Sequence, residues 1–363
     1  MTEQNEDAMA AGQQHEALNS GTKTVADTHK FEEARLASWM QSNVEGYHGP
    51  LEVRQFKGGQ SNPTYQLVTP AKKYVMRRKP PGKLLPSAHA VDREYRVITA
   101  LYPTGFPVAK SYGLCTDDAV IGTWFYVMEM VEGRVLWDQS LPQNAPVERR
   151  AIYMAQVKTL ADLHNIDHAA IGLADFGRPG NYFARQIARW TKQYEASGAP
   201  RVEEIDRLID WLPATVPDDD RSSIVHGDYR LDNMVFHPTQ SRVAAVLDWE
   251  LSTIGNPLAD FAYLLFNWHA GIITAIPDLT THGIPTVEEY VEEYCRLTGR
   301  SGLPDLDWYF AYCSFRNVCI VQGILGRVRD GNANSPQAHA AAQAQLPTLA
   351  NLAWKFAERA GAR

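Results

Sequence analysis

Two short apolar runs, Asn233 to Phe236 and Val243 to Leu247, stand in a region that otherwise reads as helix, and they constrain the fold more than any other feature of the 363 residues. His237-Pro238-Thr239-Gln240-Ser241 between them is a turn sequence, so the runs close into a β-hairpin. Polar residues bracket it. His226-Gly227-Asp228-Tyr229-Arg230-Leu231-Asp232-Asn233 leads in, and Leu247-Asp248-Trp249-Glu250 leads out. A hairpin that starts at Asn233 and ends at Asp248 returns the chain beside itself, so an amide oxygen and a carboxylate converge on one cation. Asp228, in the tight loop before the hairpin, faces the same place from the other side. A single loop Asp or Asn makes a turn more often than it does chemistry. The ordered set HxDxxxxN, strand, turn, strand, Asp is far more specific.

The chain on either side of this segment divides by pattern. Residues 1–26 are small and polar and read as a mobile tail. From 27 to 131 strands dominate: Leu51 to Lys57, Thr64 to Thr69, Lys73 to Arg77 and Thr123 to Met130, with helices over Phe31 to Val44 and Val91 to Leu101. From 132 to 363 the periodicity turns helical, over Pro146 to His164, Asn181 to Tyr194, Val287 to Leu297 and Trp308 to Val328. The expected class is α+β in two lobes, a β-rich N-terminal lobe followed by a mainly helical one.

Composition narrows the partners. With 45% hydrophobic residues and a formal charge of only -7, the chain is a folded protein. Acidic and basic residues balance at 14 each through Val131, so the whole negative excess falls beyond it. An acidic second half argues against DNA or RNA as partner. Phe261 to Pro277 lacks charged residues but is interrupted by Asn267, His269 and Gly271, and it falls short of the ~20 apolar residues of a membrane span. It reads as a buried helix. Cys115, Cys295, Cys313 and Cys319 form no metal-binding spacing and suit reduced thiols in a cytoplasmic protein. Asp330-Gly331-Asn332-Ala333-Asn334 opens like a calcium loop, yet Ser335 and Ala341 occupy its required glycine and glutamate positions.

The hairpin set matches the needs of phosphoryl transfer, which asks for a carboxylate near the attacking hydroxyl and oxygen ligands that hold Mg²⁺ on the nucleotide phosphates. The segment resembles the catalytic loop and metal-binding aspartate of the aminoglycoside phosphotransferase and choline kinase group, which has the protein-kinase-like fold. The likeness runs from about Phe31 onward and includes Phe56-Lys57-Gly58-Gly59-Gln60-Ser61-Asn62 and Ile254-Gly255-Asn256-Pro257-Leu258-Ala259-Asp260. Tyr74-Val75-Met76-Arg77-Arg78-Lys79-Pro80-Pro81-Gly82, Arg185-Gln186 to Trp190, and Gln322-Gly323 to Arg327 bring it nearer to the kinase-like domains fused to acyl-CoA dehydrogenases.

That resemblance implies ATP and Mg²⁺ as cofactors, Asp228 as base, Asn233 and Asp248 as metal ligands, and Asp260 as a buried brace. Gly58, Gly59, Ser61 and Asn62 would approach the phosphates, although a Gly-Gly pair between strands also makes an ordinary turn. Arg77 or Arg78 stands where the group has a strand lysine, with Glu94 as its partner, and Glu129 lies where the adenine is met. The acceptor would be a small molecule bound by Tyr182, Arg185, Arg189, Trp190, Arg316 and Arg327. These arginines and aromatics suit an acidic or hydroxyacyl-CoA acceptor better than a polycationic aminoglycoside. An aminoglycoside or amino-alcohol kinase stays open beside it, and a catalytically silent nucleotide-binding module and a protein kinase are the further readings. Against the protein kinase, the motif is HGD rather than HRD, and no DFG or APE follows.

Overall fold

Strands with one buried face build the first half of the chain. Glu52–Phe56 and Thr64–Val68 alternate in burial, as expected of strands with one face in a core. Lys73–Arg78 is buried along nearly its whole length and sits centrally. The computed structural model describes residues 20–57, 62–82, 89–219, 221–329 and 336–363, without the side chains of 272, 327–329 and 336–343. These residues fall into two units, Met1–Thr159 with Ile171–Leu173 and Arg230–Ser252, and Leu160–Ala170 with Ala174–Tyr229 and Thr253–Arg363.

In the first unit a six-stranded antiparallel sheet runs in the order Thr22–Lys23, Glu52–Phe56, Thr64–Val68, Lys73–Arg78, Phe125–Glu129, Ser111–Cys115. Tyr65, Tyr74, Met76, Phe125 and Val127 form its core with Leu36 and Met40 of the helix Glu33–Asn43. Within the stretch 1–26, Thr22–Lys23 pair with Phe56 and Gln55, because an edge strand satisfies its backbone there whatever its side chains. The helix Val91–Leu101 has the expected bounds but turns Glu94 and Val97 inward, leaving Tyr95 half-buried. A buried carboxylate in that stripe is the first sign of the site.

The hairpin forms as expected. Met234–Phe236 and Val243–Val246 pair antiparallel, and Arg134–Val135 adds a third strand beside Met234–Phe236. Gly133 permits that third strand, since a Cβ there would lie 2.1 Å from the Phe236 carbonyl oxygen. Gly133→Ala is expected to cost about 1–3 kcal/mol, the usual penalty of forced overpacking. It would show as a lowered thermal midpoint, and an unchanged midpoint would refute this account.

The second unit is helical. Leu306–Arg329 packs against Tyr182–Ala196, Leu258–Leu265 and Pro336–Arg359. Phe183 wedges among Trp308, Tyr309 and Tyr312, so the aromatic run at the start of that helix is core. Val287–Thr298 opens with a capping box between Thr286 and Glu289. Ser223–Val225 and Thr253–Gly255 pair as short strands on either side of the hairpin in sequence. The apolar stretch from Phe261 to Pro277 is not one helix. Leu258–Leu265 ends there, and short 3-10 turns follow at Phe266–Trp268 and Ile272–Ala275, separated by Gly271 in extended backbone. No helix among the described residues is long and apolar enough to cross a membrane.

Candidate active site

Strand alternation separates the two arginines at the end of Lys73–Arg78. Arg78 places its guanidinium 5.4 Å from the Phe31 ring, whereas Arg77 meets carboxylates. Arg77 Nε lies 3.2 Å from Glu94 Oε2, and its Nη2 donates to Asp248 Oδ1 at 2.9 Å and stands 4.0 Å from Glu250 Oε2. Burial opposes the charge on Arg77, but Glu94 and Asp248 outweigh it and hold the guanidinium's pKa above its ordinary value. Glu94 is itself orientated by Asn62 Nδ2 at 2.7 Å and the Tyr126 hydroxyl at 3.1 Å. Asn62 is fully buried, with its Oδ1 3.0 Å from His89 Nδ1 and its Nδ2 3.4 Å from Glu250 Oε2. Its side chain thus braces Glu94.

The hairpin carries the oxygen donors. Leu247 N donates to the Asn233 carbonyl at 2.8 Å, which sets Asn233 and Asp248 at the same end of the paired strands. Below them Trp249 is buried, its Nε1 donates to the Val246 carbonyl at 3.0 Å, and its ring meets Phe106 edge-on. Asp248 adopts the left-handed backbone, φ 64°, and a third of its side chain stays exposed. Arg77 engages its Oδ1. An amide oxygen and a carboxylate form a hard donor set of the kind Mg²⁺ takes from a protein while it keeps waters and phosphates as its other ligands. The described residues contain no cluster of three His, Cys, Asp or Glu that would hold a metal alone.

In the second unit the loop around Asp228 is fixed from beneath. Gly227 has φ 89°, a conformation that suits glycine. Asp260, on the first turn of Leu258–Leu265, accepts from His226 N at 2.5 Å and from Gly227 N at 2.8 Å. Burial alone would raise the Asp260 carboxyl, but His164 beside it, His226 and the Gly227 N–H hold it below the usual carboxylate range. Burial pushes the His164 imidazole below its ordinary value against the opposing pull of Asp260, and its Nδ1 lies 2.7 Å from the Tyr294 hydroxyl. Tyr263, one turn after Asp260 on the same helix, donates to Asp228 Oδ1 at 2.7 Å. Composition hid Tyr263 in an apolar stretch, although its spacing from Asp260 places both on one helix face.

The remaining expected residues divide. Gly58, Gly59 and Ser61 lie outside the described residues, as do the side chain of Arg327 and the rejected calcium loop. Glu129 ends its strand half-buried, with its N–H donating to the Lys110 carbonyl at 2.8 Å. Arg185 donates to the Arg178 and Gly180 carbonyls and so braces the turn before its own helix. Arg189 is exposed, 5.3 Å from the Trp190 ring. Tyr182 covers Gly255, where a Cβ would come within 2.4 Å of its ring. Arg316 is buried beside the loop. Its Nη2 donates to the Gly227 carbonyl at 2.7 Å, with the Tyr263 and Trp190 rings 5.1 and 5.7 Å from its guanidinium carbon.

Comparison with known proteins agrees with both levels of the resemblance read from the motifs. Acyl-CoA dehydrogenase family member 10 of Mus musculus is 41% identical over 352 residues, which cover 94% of this chain but 33% of that protein. The chain thus spans about a third of that relative's length. A candidate aminoglycoside phosphotransferase from Ralstonia eutropha JMP134 superposes with a TM-score of 0.83 at 50% identity, over 91% of this chain and 99% of that one. Aminoglycoside phosphotransferase APH(4)-Ia, solved with AMP-PNP and hygromycin B, shares the fold at a TM-score of 0.57 and 16% identity, over 87% and 98% of the two chains. Residues 52–309 match the phosphotransferase enzyme family named APH, and the chain belongs to that family.

Proposed function

We propose that this chain transfers the γ-phosphoryl group of ATP to a hydroxyl of a small molecule, and that the acceptor is a hydroxyacyl-CoA or another acidic hydroxy compound. The observation that carries the reading is the support of Asp228: Asp260 fixes its loop through two backbone N–H groups, and Tyr263 aims its carboxylate. Asp228 takes the proton of the acceptor hydroxyl as the oxygen attacks phosphorus. Arg77, held by Glu94, directs its charge at the nucleotide phosphates. Asn233 and Asp248 would hold a Mg²⁺, which would supply neutralisation of the phosphate charge. The AMP-PNP bound by APH(4)-Ia supports ATP as the donor.

The test is ATP turnover on hydroxyacyl-CoAs compared with kanamycin-like sugars. Turnover of the sugars alone would overturn the acceptor and leave the transferase standing. A second measurement isolates the metal. In Asp248→Ala, the thermal protection given by Mg·ATP is expected to vanish, since the variant loses the carboxylate assigned to the metal. Asn233→Ala should retain part of it. A full thermal shift in Asp248→Ala would remove Asp248 from the metal site.

A further inference from the structure

Arg316 lies near the middle of the long helix Leu306–Arg329, with 8% of its surface open. A buried guanidinium is costly unless a carboxylate or several hydrogen bonds compensate it. Arg316 has little compensation. Among the described residues it makes no ion pair, its single hydrogen bond goes to the Gly227 carbonyl, and its buried Nε has no acceptor. The rings of Trp190 and Tyr263 flank its guanidinium and attract a cation, and Tyr312, Tyr182 and Cys313 lie within electrostatic reach, none of them a carboxylate. Arg77, in the first unit, is surrounded by Glu94, Asp248 and Glu250. The contrast is informative: Arg77 stands among carboxylates, whereas Arg316 forms no ion pair among the described residues.

The location of Arg316 gives that cation a use. Tyr263 touches Asp228 with its hydroxyl and Arg316 with its ring face, so the base and the cation stand one tyrosine side chain apart. We propose that Arg316 binds the acyl oxygen of the acceptor, the carboxylate of a hydroxy acid or the thioester carbonyl of a hydroxyacyl conjugate, while the hydroxyl of the same molecule lies against Asp228. This rests on the acceptor reading above and adds the residue that enforces it. The fork of an arginine suits such an oxygen, and the flanking Trp190 and Tyr263 rings give the intervening carbon chain an apolar wall. A polycationic sugar would be repelled at the same point.

The experiment is a cross of enzyme and substrate variants. Straight-chain hydroxyalkanoates, their pantetheine thioesters, and diols of equal length without the acyl oxygen are offered with Mg·ATP to the wild type, Arg316→Gln and Arg316→Lys. Arg316→Gln should lower kcat/KM on the preferred acyl compound by about 10–10²-fold, the scale of hydrogen bonds to a charged group. The loss should appear mainly in KM, with little loss on the diol and no change in KM for ATP. Arg316→Lys should recover part of the affinity, more for a carboxylate than for a thioester carbonyl, and so tells the two sources apart. Equal losses on acyl compound and diol would mean that Arg316 only supports the Gly227 carbonyl, and would overturn the proposal while the acceptor reading survives. If the wild type phosphorylates the diols and none of the acyl compounds, both fall.

Discussion

Asp228→Asn is expected to lower turnover by about 10²–10⁴-fold, the range typical of losing a general base, while Mg·ATP still raises the thermal midpoint as in the wild type. The substitution is nearly isosteric. The Tyr263 hydroxyl still has an oxygen to donate to, and the loop is held by Asp260 through backbone groups that the change does not touch. What disappears is the ability to accept the acceptor's proton. Turnover and nucleotide protection should therefore separate cleanly. Near-native turnover in Asp228→Asn would take the base role away from this residue, whatever the rest of the loop does.

The second large effect concerns stability. Asp260 is 1% exposed and accepts from two backbone N–H groups, those of His226 and Gly227. Asp260→Ala leaves those donors buried and unpaired, and is expected to cost about 3–5 kcal/mol, the range for breaking a buried charged interaction. Asp260→Asn keeps one acceptor oxygen and should cost less. The pH dependence follows from the depressed carboxyl. The native state holds the ionised form more strongly than the unfolded chain does, so its contribution is complete above the unfolded carboxyl's range and is lost as pH falls through the lower folded value. The gap in denaturation midpoint between wild type and Asp260→Asn should be constant near neutrality and shrink only in acid. A gap that widens in acid would show that Asp260 is not held as the anion.

Much of this arrangement was legible in the residues. The hairpin, the Val91–Leu101 helix and the separation into strand-rich and helical regions follow from period and turn chemistry, which act locally. Helix Glu203–Ala214 and strand Ser111–Cys115 were missed. Ser-Tyr-Gly-Leu-Cys shows no alternation, and every residue but its cysteine is half-buried, so only its neighbour Phe125–Glu129 makes it a strand. The three-residue strands Ser223–Val225 and Thr253–Gly255 are too short for any pattern and exist because they pair across 27 intervening residues. In the site, Glu94 was legible as a partner for a strand arginine. The choice between Arg77 and Arg78 was not, because it turns on a one-residue register that only the pairing of Arg77 with Tyr126 decides. The bracing role of Asn62, and the contacts of Tyr263 and Glu250, depend on tertiary neighbours far away in sequence.

The left-handed backbone at Asp248 has an evolutionary consequence. A residue with a Cβ in that conformation costs about 1–2 kcal/mol that glycine avoids, and Arg77 would still have Glu94 beside it if the aspartate were lost. A library selected only for survival on heating should therefore enrich glycine at position 248 and discard the very carboxylate assigned to the metal. Retention of aspartate at so uncomfortable a position, in any population evolving under demand for turnover, would record what that demand outweighs.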